Sequence, residues 1–137
     1  MPVGYSGTPL PKKLGMQAST QLAVLGERVD YAAFVGELPA GVRLGTAATP
    51  GTNLVHLFVT RREDLARYLQ DLRAQLPSAA AVWVSWPKKA SKVPTTVTED
   101  VIRELALPLG FVDVKVCAVN EVWSGLKLVV RKQLRDV

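Results

Sequence analysis

Apolar residues fall into a clear order from residue 54 onward. Leu54 to Thr60 (LVHLFVT) is almost continuously apolar, as a strand buried on both faces should be. Thr60-Arg61-Arg62-Glu63 has capping-box spacing and predicts a helix start, with Thr60 as N-cap and Glu63 at the third position. Leu65, Tyr68, Leu69, Leu72 and Leu76 follow at i, i+3, i+4, i+7 and i+11, an amphipathic helix that Pro77 ends. Ala80 to Trp86 (AAVWVSW) predicts a second buried strand. Thr96-Val97-Thr98-Glu99 repeats the capping-box spacing, and Val97, Val101, Ile102 and Leu105 supply the apolar face of a second helix closed by Pro108 and Gly110. Phe111 to Val119 alternates, which predicts Val112, Val114, Val116 and Ala118 on one face and Asp113 and Lys115 on the other. Leu126 to Arg131 reads as a last strand, and the short connection 120–125 makes it antiparallel.

The first half is less regular. Gln21 to Leu25 predicts a short strand followed by Gly26, residues 28–36 a short helix, and Val42 to Leu44 a brief strand. Residues 1–15, rich in Gly and Pro, read as an arm feeding the domain. Strand–helix–strand repetition predicts an α/β fold: a Rossmann- or methyltransferase-like, mostly parallel sheet flanked by helices and ending in an antiparallel hairpin. We expect one domain over residues 1–137, with an N-terminal arm at 1–15 and a sheet-and-helix core at 16–137.

Composition narrows the setting. The chain has 137 residues, 48% hydrophobic and 21% charged, which is single-domain size and ordinary globular content. Its one cysteine, Cys117, cannot form an intramolecular disulfide, which fits a reducing cytoplasm. The longest apolar runs fall far short of the roughly 20 residues that span a bilayer, and the N-terminus carries no signal-like apolar run. The expectation is a cytoplasmic protein with no membrane partner. Seventeen Lys and Arg against twelve Asp and Glu give a net charge of +5, which favours anionic partners.

Three stretches carry a family resemblance: Gly4-Tyr5-Ser6-Gly7-Thr8-Pro9-Leu10 with Lys12-Lys13-Leu14-Gly15, Trp86-Pro87-Lys88-Lys89 with Ser91, and Trp123-Ser124-Gly125-Leu126-Lys127. Together they resemble a family of small bacterial proteins known as a domain of unknown function, which implies the fold and no activity. The element order from Leu54 onward resembles the second half of a class I methyltransferase sheet. That resemblance would imply S-adenosylmethionine, whose usual cradle needs several glycines after the first strand and an acid after the second. Here the first strand ends Leu25-Gly26-Glu27 and the second Leu44-Gly45, so no cofactor is expected in the usual mode.

Candidate binding chemistry gathers where ligands sit in open α/β sheets, beyond the carboxyl ends of the strands. Arg61 and Arg62 follow one strand; Lys88, Lys89 and Lys92 follow the next. We expect this basic rim to bind an anionic partner without catalysis, a nucleic acid or a phosphorylated small molecule, with Trp86 or Trp123 as stacking faces. The alternatives are a divergent methyltransferase-like enzyme and a regulatory subunit that docks a protein partner. Trp86 also has a core reading, and Trp123 a packing one under the arm. His56 and Cys117 lie inside strands and read as packing groups. No catalytic residue and no metal site is assigned.

Overall fold

The computed structural model describes residues 9–135. Six strands form one sheet: β1 (Gln21–Gly26), β2 (Arg43–Gly45), β3 (Leu54–Phe58), β4 (Ala81–Pro87), β5 (Phe111–Ala118) and β6 (Trp123–Val130). Their spatial order is β2-β1-β3-β4-β6-β5. The pairs β1–β2, β1–β3 and β3–β4 are parallel, whereas β6 runs antiparallel to both β4 and β5. The expected fold class is the observed one. The order reverses between β1 and β3, so their carboxyl ends flank a switch point.

Helices α3 (Arg62–Gln75) and α4 (Glu99–Ala106) cover one face, where Leu65, Leu69, Leu72, Ile102 and Ala106 meet Val55, Leu57, Val82, Val84, Leu126 and Leu128. The other face carries the short helices α1 (Leu10–Lys13) and α2 (Tyr31–Val35) over Leu22, Leu54, Phe58 and Trp83. The described end of the arm is thus packed: Leu14 is fully buried and its carbonyl accepts the Trp83 indole N–H at 2.9 Å. The Gly4–Thr8 part of the arm lies outside the described residues. The crossover from β2 to β3 contains no helix. Residues 46–53 instead make a turn held by Thr52, whose hydroxyl accepts the Thr49 N–H at 2.9 Å. That leaves β1 and β2 without a helix of their own on the side where α3 lies, although Ala23 of β1 still packs into the α3–α4 core.

Three local expectations need correction. Thr60 does not cap α3. Its hydroxyl donates to Glu27 Oε1 at 3.0 Å, and the free Arg62 N–H at the helix start donates to Thr96 Oγ1 at 2.7 Å. Thr96 therefore serves α3, while Thr98 caps α4 by accepting the Val101 N–H at 3.2 Å. In β5 a register shift between Asp113 and Lys115 breaks the alternation. Before it Phe111 and Asp113 face the α3–α4 side, opposite Val130 and Leu128; after it Val116 takes that side, opposite Leu126. The valines expected on one face are thereby split, and Val114 and Val116 end up about half exposed. Finally, β6 begins at Trp123 rather than Leu126, since Trp123 and Ser124 already pair with Pro87 and Trp86 of β4.

Candidate functional site

A groove of about 670 Å³ runs between α3 and strands β1 and β2, from Val24, Leu25 and Leu44 within the strands to the chain that follows their carboxyl ends. One wall is chain following β1 and β2: Gly26 to Val29, Tyr31, and Leu44 to Ala48. The other is the α3 strip Tyr68, Asp71, Leu72 and Gln75. This size falls within the range of small-molecule sites. Gly26 has φ +93°, and a Cβ there would stand 2.0 Å from the Phe58 carbonyl oxygen. The glycine is therefore demanded by the close approach of β3. Glu27 closes the switch point next to it, with its N–H on the Phe58 carbonyl at 2.7 Å and its carboxylate on Thr60.

On the α1–α2 face of the sheet runs a buried polar chain that meets the groove at Tyr31. Tyr31 Oη lies 2.9 Å from His56 Nδ1, and His56 Nε2 lies 2.7 Å from Ser85 Oγ. His56 and Ser85 have no exposed surface, and burial lowers the imidazole pKa to about 3, so the ring is neutral. Among the described residues Ser85 Oγ meets only His56. Its hydrogen therefore goes to Nε2, Nδ1 keeps the ring proton, and that N–H donates to Tyr31 Oη. Burial raises the Tyr31 pKa, so the phenol stays protonated. The imidazole also stacks on Phe58 at 4.3 Å, and Phe58 meets Trp123 edge-on at 5.1 Å. The core reading of His56 is the one this geometry supports.

The residues expected as a basic rim are placed as follows. Arg61 pairs with Glu63 at 3.7 Å, and Arg62 with Glu104 at 3.0 Å, which raises the guanidinium pKa and lowers that of the carboxyl. The loop after β4 folds back on the end of β3, where the Thr95 hydroxyl and the Thr96 N–H both donate to the Thr60 carbonyl. It thereby brings both basic clusters to the same end of the sheet. Among the described residues Lys88, Lys89 and Lys92 form no ion pair, and Lys92 adopts a left-handed φ of 61°. The Ser91 hydroxyl fixes this turn by donating to the Lys88 carbonyl at 2.6 Å. Trp86 is 9% exposed within the core, so it offers no stacking face; Trp123 is partly buried against Phe58. None of these seven residues lines the groove.

Sequence reasoning missed the groove. Its α3 wall was present as spacing, since Asp71 and Gln75 stand three and seven residues after Tyr68. The loop at 46–53 was legible from Pro50 and Gly51, but not the opening it leaves beside α3. Among the described residues no cluster of His, Cys, Asp or Glu could hold a metal ion, and no helix is long and apolar enough to cross a membrane.

No family model matches the sequence, and no curated protein does. Solved structures do match. A SAM-dependent methyltransferase from Aquifex aeolicus superposes with a TM-score of 0.60 at 13% identity, over 87% of this chain and 86% of that one. The m1A22 tRNA methyltransferase TrmK from B. subtilis gives 0.53 at 9% identity, over 88% and 63%. The ribosomal protein L11 methylase from Lactobacillus delbrueckii subsp. bulgaricus gives 0.51 at 12% identity, over 88% and 74%. Identities this low carry the fold alone. The residues do not fit S-adenosylmethionine in its usual mode. The single glycine after β1 answers to Phe58, Asp30 already caps α2 by accepting the Ala33 N–H, and Gly45-Thr46 stands where the ribose-binding acid should be. The expectation of a non-enzymatic anion binder is nevertheless corrected. The similar structures are methyltransferases, which favours the enzyme reading placed second, and both rim arginines are already paired with carboxylates. The chain has the methyltransferase-like Rossmann fold, with an antiparallel hairpin at the end of its sheet.

Proposed function

We propose that this chain is a divergent methyltransferase-like enzyme that takes a nucleoside-type ligand in the groove beyond β1 and β2. The observation that carries the reading is the groove's position. It opens at the carboxyl ends of parallel strands, next to the point where strand order reverses, in a sheet of methyltransferase type. Its volume suits a small molecule, and its walls combine backbone from two strand ends with an aromatic, a carboxylate and an amide from α3. The residues of the basic rim do not line these walls and have no part in this reading.

The test is ligand-dependent stabilisation. S-adenosylmethionine, S-adenosylhomocysteine and adenosine are titrated against the protein in a thermal-shift series and by calorimetry. Saturable stabilisation by at least one of them is expected, with a rise in Tm that follows ligand concentration. Thr46→Trp, which fills the groove from an exposed position on its β2 wall, is expected to abolish it with little change in the unliganded Tm. Binding that survives Thr46→Trp would place the ligand elsewhere, and absence of binding by all three would reject the reading.

A further inference from the structure

We propose that the recognising side chains of the groove sit on α3, and that its ligand is a nucleoside with an intact vicinal diol gripped by Asp71. This rests on the groove being the ligand site, and it deepens that reading by naming the ligand chemistry and the residue that reads it.

Four α3 residues line the groove: Tyr68, Asp71, Leu72 and Gln75, at i, i+3, i+4 and i+7. At about 100° per residue they fall within an arc of roughly 100°, one continuous strip. Leu72 is buried and forms an apolar floor, and Tyr68 is half-buried with ring surface at the groove. Gln75 carries a donor and an acceptor side by side, as the edge of a base requires. Asp71 has two acceptor oxygens, the complement of two adjacent hydroxyls.

The neighbouring carboxylates are already engaged. Glu27 accepts from Thr60, Asp64 pairs with Arg67 at 3.1 Å, and Glu63 pairs with Arg61. Among the described residues Asp71 makes no hydrogen bond or ion pair, and it is exposed at the groove. An acid after β2 is the usual diol reader in this kind of sheet, and here that position is Gly45-Thr46. Asp71 supplies the same chemistry from the opposite wall.

Charge separates a nucleoside from a nucleotide. The charged residues lining the groove are Glu27, Asp71 and Arg28, two acids against one base, a local balance of −1. A phosphate would enter against that balance, whereas a neutral or cationic nucleoside would not. The excess of basic residues in the chain as a whole lies outside this groove.

The experiment measures Kd for adenosine, guanosine, cytidine and uridine, for their 2′-deoxy counterparts, and for the matching 5′-monophosphates. The proteins are wild type, Asp71→Asn and the double variant Asp71→Asn/Gly45→Asp. Wild type is expected to bind one ribonucleoside at least tenfold more tightly than its 2′-deoxy form and than its monophosphate, because a site that hydrogen-bonds a hydroxyl discriminates strongly against its loss. In Asp71→Asn the 2′-hydroxyl preference should fall to about threefold or less, at an unchanged Tm. The double variant should recover it, since a Cβ at Gly45 meets only ordinary contacts at 3.9 Å.

Equal binding of ribo and deoxy forms by wild type would overturn the inference and leave the groove reading standing. A preference that persists in Asp71→Asn would overturn the role of Asp71. Tighter binding of the monophosphate would overturn the charge argument and with it the nucleoside. Binding of no nucleoside, while Thr46→Trp still removes a response to S-adenosylmethionine or S-adenosylhomocysteine, overturns this inference alone. Binding of none of these compounds overturns both.

Discussion

An imidazole sealed inside a sheet must do without its charge, and His56 does so between Tyr31 and Ser85. The consequence for stability has a definite sign. In the unfolded chain the ring titrates near its ordinary value of 6.5, while in the folded chain it does so at about 3. Between those values the unfolded state binds the extra proton, so stability is full above about pH 6.5 and falls as pH drops toward 3. The slope is about 1.4 kcal/mol per pH unit within that window. Urea denaturation between pH 7 and 4.5 should show this slope, and His56→Gln should remove its share of it. His56 is the only histidine, so its nitrogen resonances need no assignment. They are expected to report a neutral ring protonated on Nδ1 from pH 7 to pH 5; protonation on Nε2 would reverse the direction of the buried chain. Gly26 is the other residue on which much depends. Gly26→Ala would drive a methyl into the Phe58 carbonyl at a positive φ, and we expect a loss of more than about 2 kcal/mol at this one position.

The helices test how far spacing can be trusted. Both capping boxes were legible as Thr-x-x-Glu, yet neither forms as written. Partners remote in sequence, Glu27 for Thr60 and the N–H of Arg62 for Thr96, compete successfully for the hydroxyls. Thr96→Val should therefore cost about 1 kcal/mol by leaving the start of α3 without its acceptor, and more than Thr60→Val, whose hydroxyl only meets an exposed carboxylate. Denaturant midpoints of the two variants check this; the opposite order would restore the capping box. The long apolar runs were legible because burial on both faces needs no knowledge of a partner, and β3, α3 and β4 lie close to where the pattern put them. The α3 wall of the groove was half legible. Tyr68 was recognised as a face residue, and Pro50 and Gly51 mark residues 46–53 as a loop, but that Asp71 and Gln75 border a cavity depends on where that loop lies against α3, which is a matter of tertiary packing. The bulge in β5 was hidden because Val112, Val114 and Val116 keep perfect alternation in the sequence while the backbone does not.

At the scale of the molecule, charge and fold are separable. The lysines at 88, 89 and 92 form no ion pair among the described residues and stand on a turn built by backbone and Ser91. Replacing all three with alanine should shift Tm by less than about 2 °C. A larger drop in a melting curve would mean that the lysines hold the loop. The sheet as a whole has two open edges, the short β2 and the eight-residue β5. The second is the longer hazard, since a strand with half-exposed valines is a template for another chain. The register shift at Asp113/Lys115 interrupts that template halfway. An incoming strand cannot continue its hydrogen bonds in one register past the bulge, and Lys115 adds a charge beside it. The irregularity that misleads a reader of the valine pattern thus acts as a guard against aggregation, and deleting Val114 to straighten the strand should promote self-association, read as a larger species by size-exclusion chromatography.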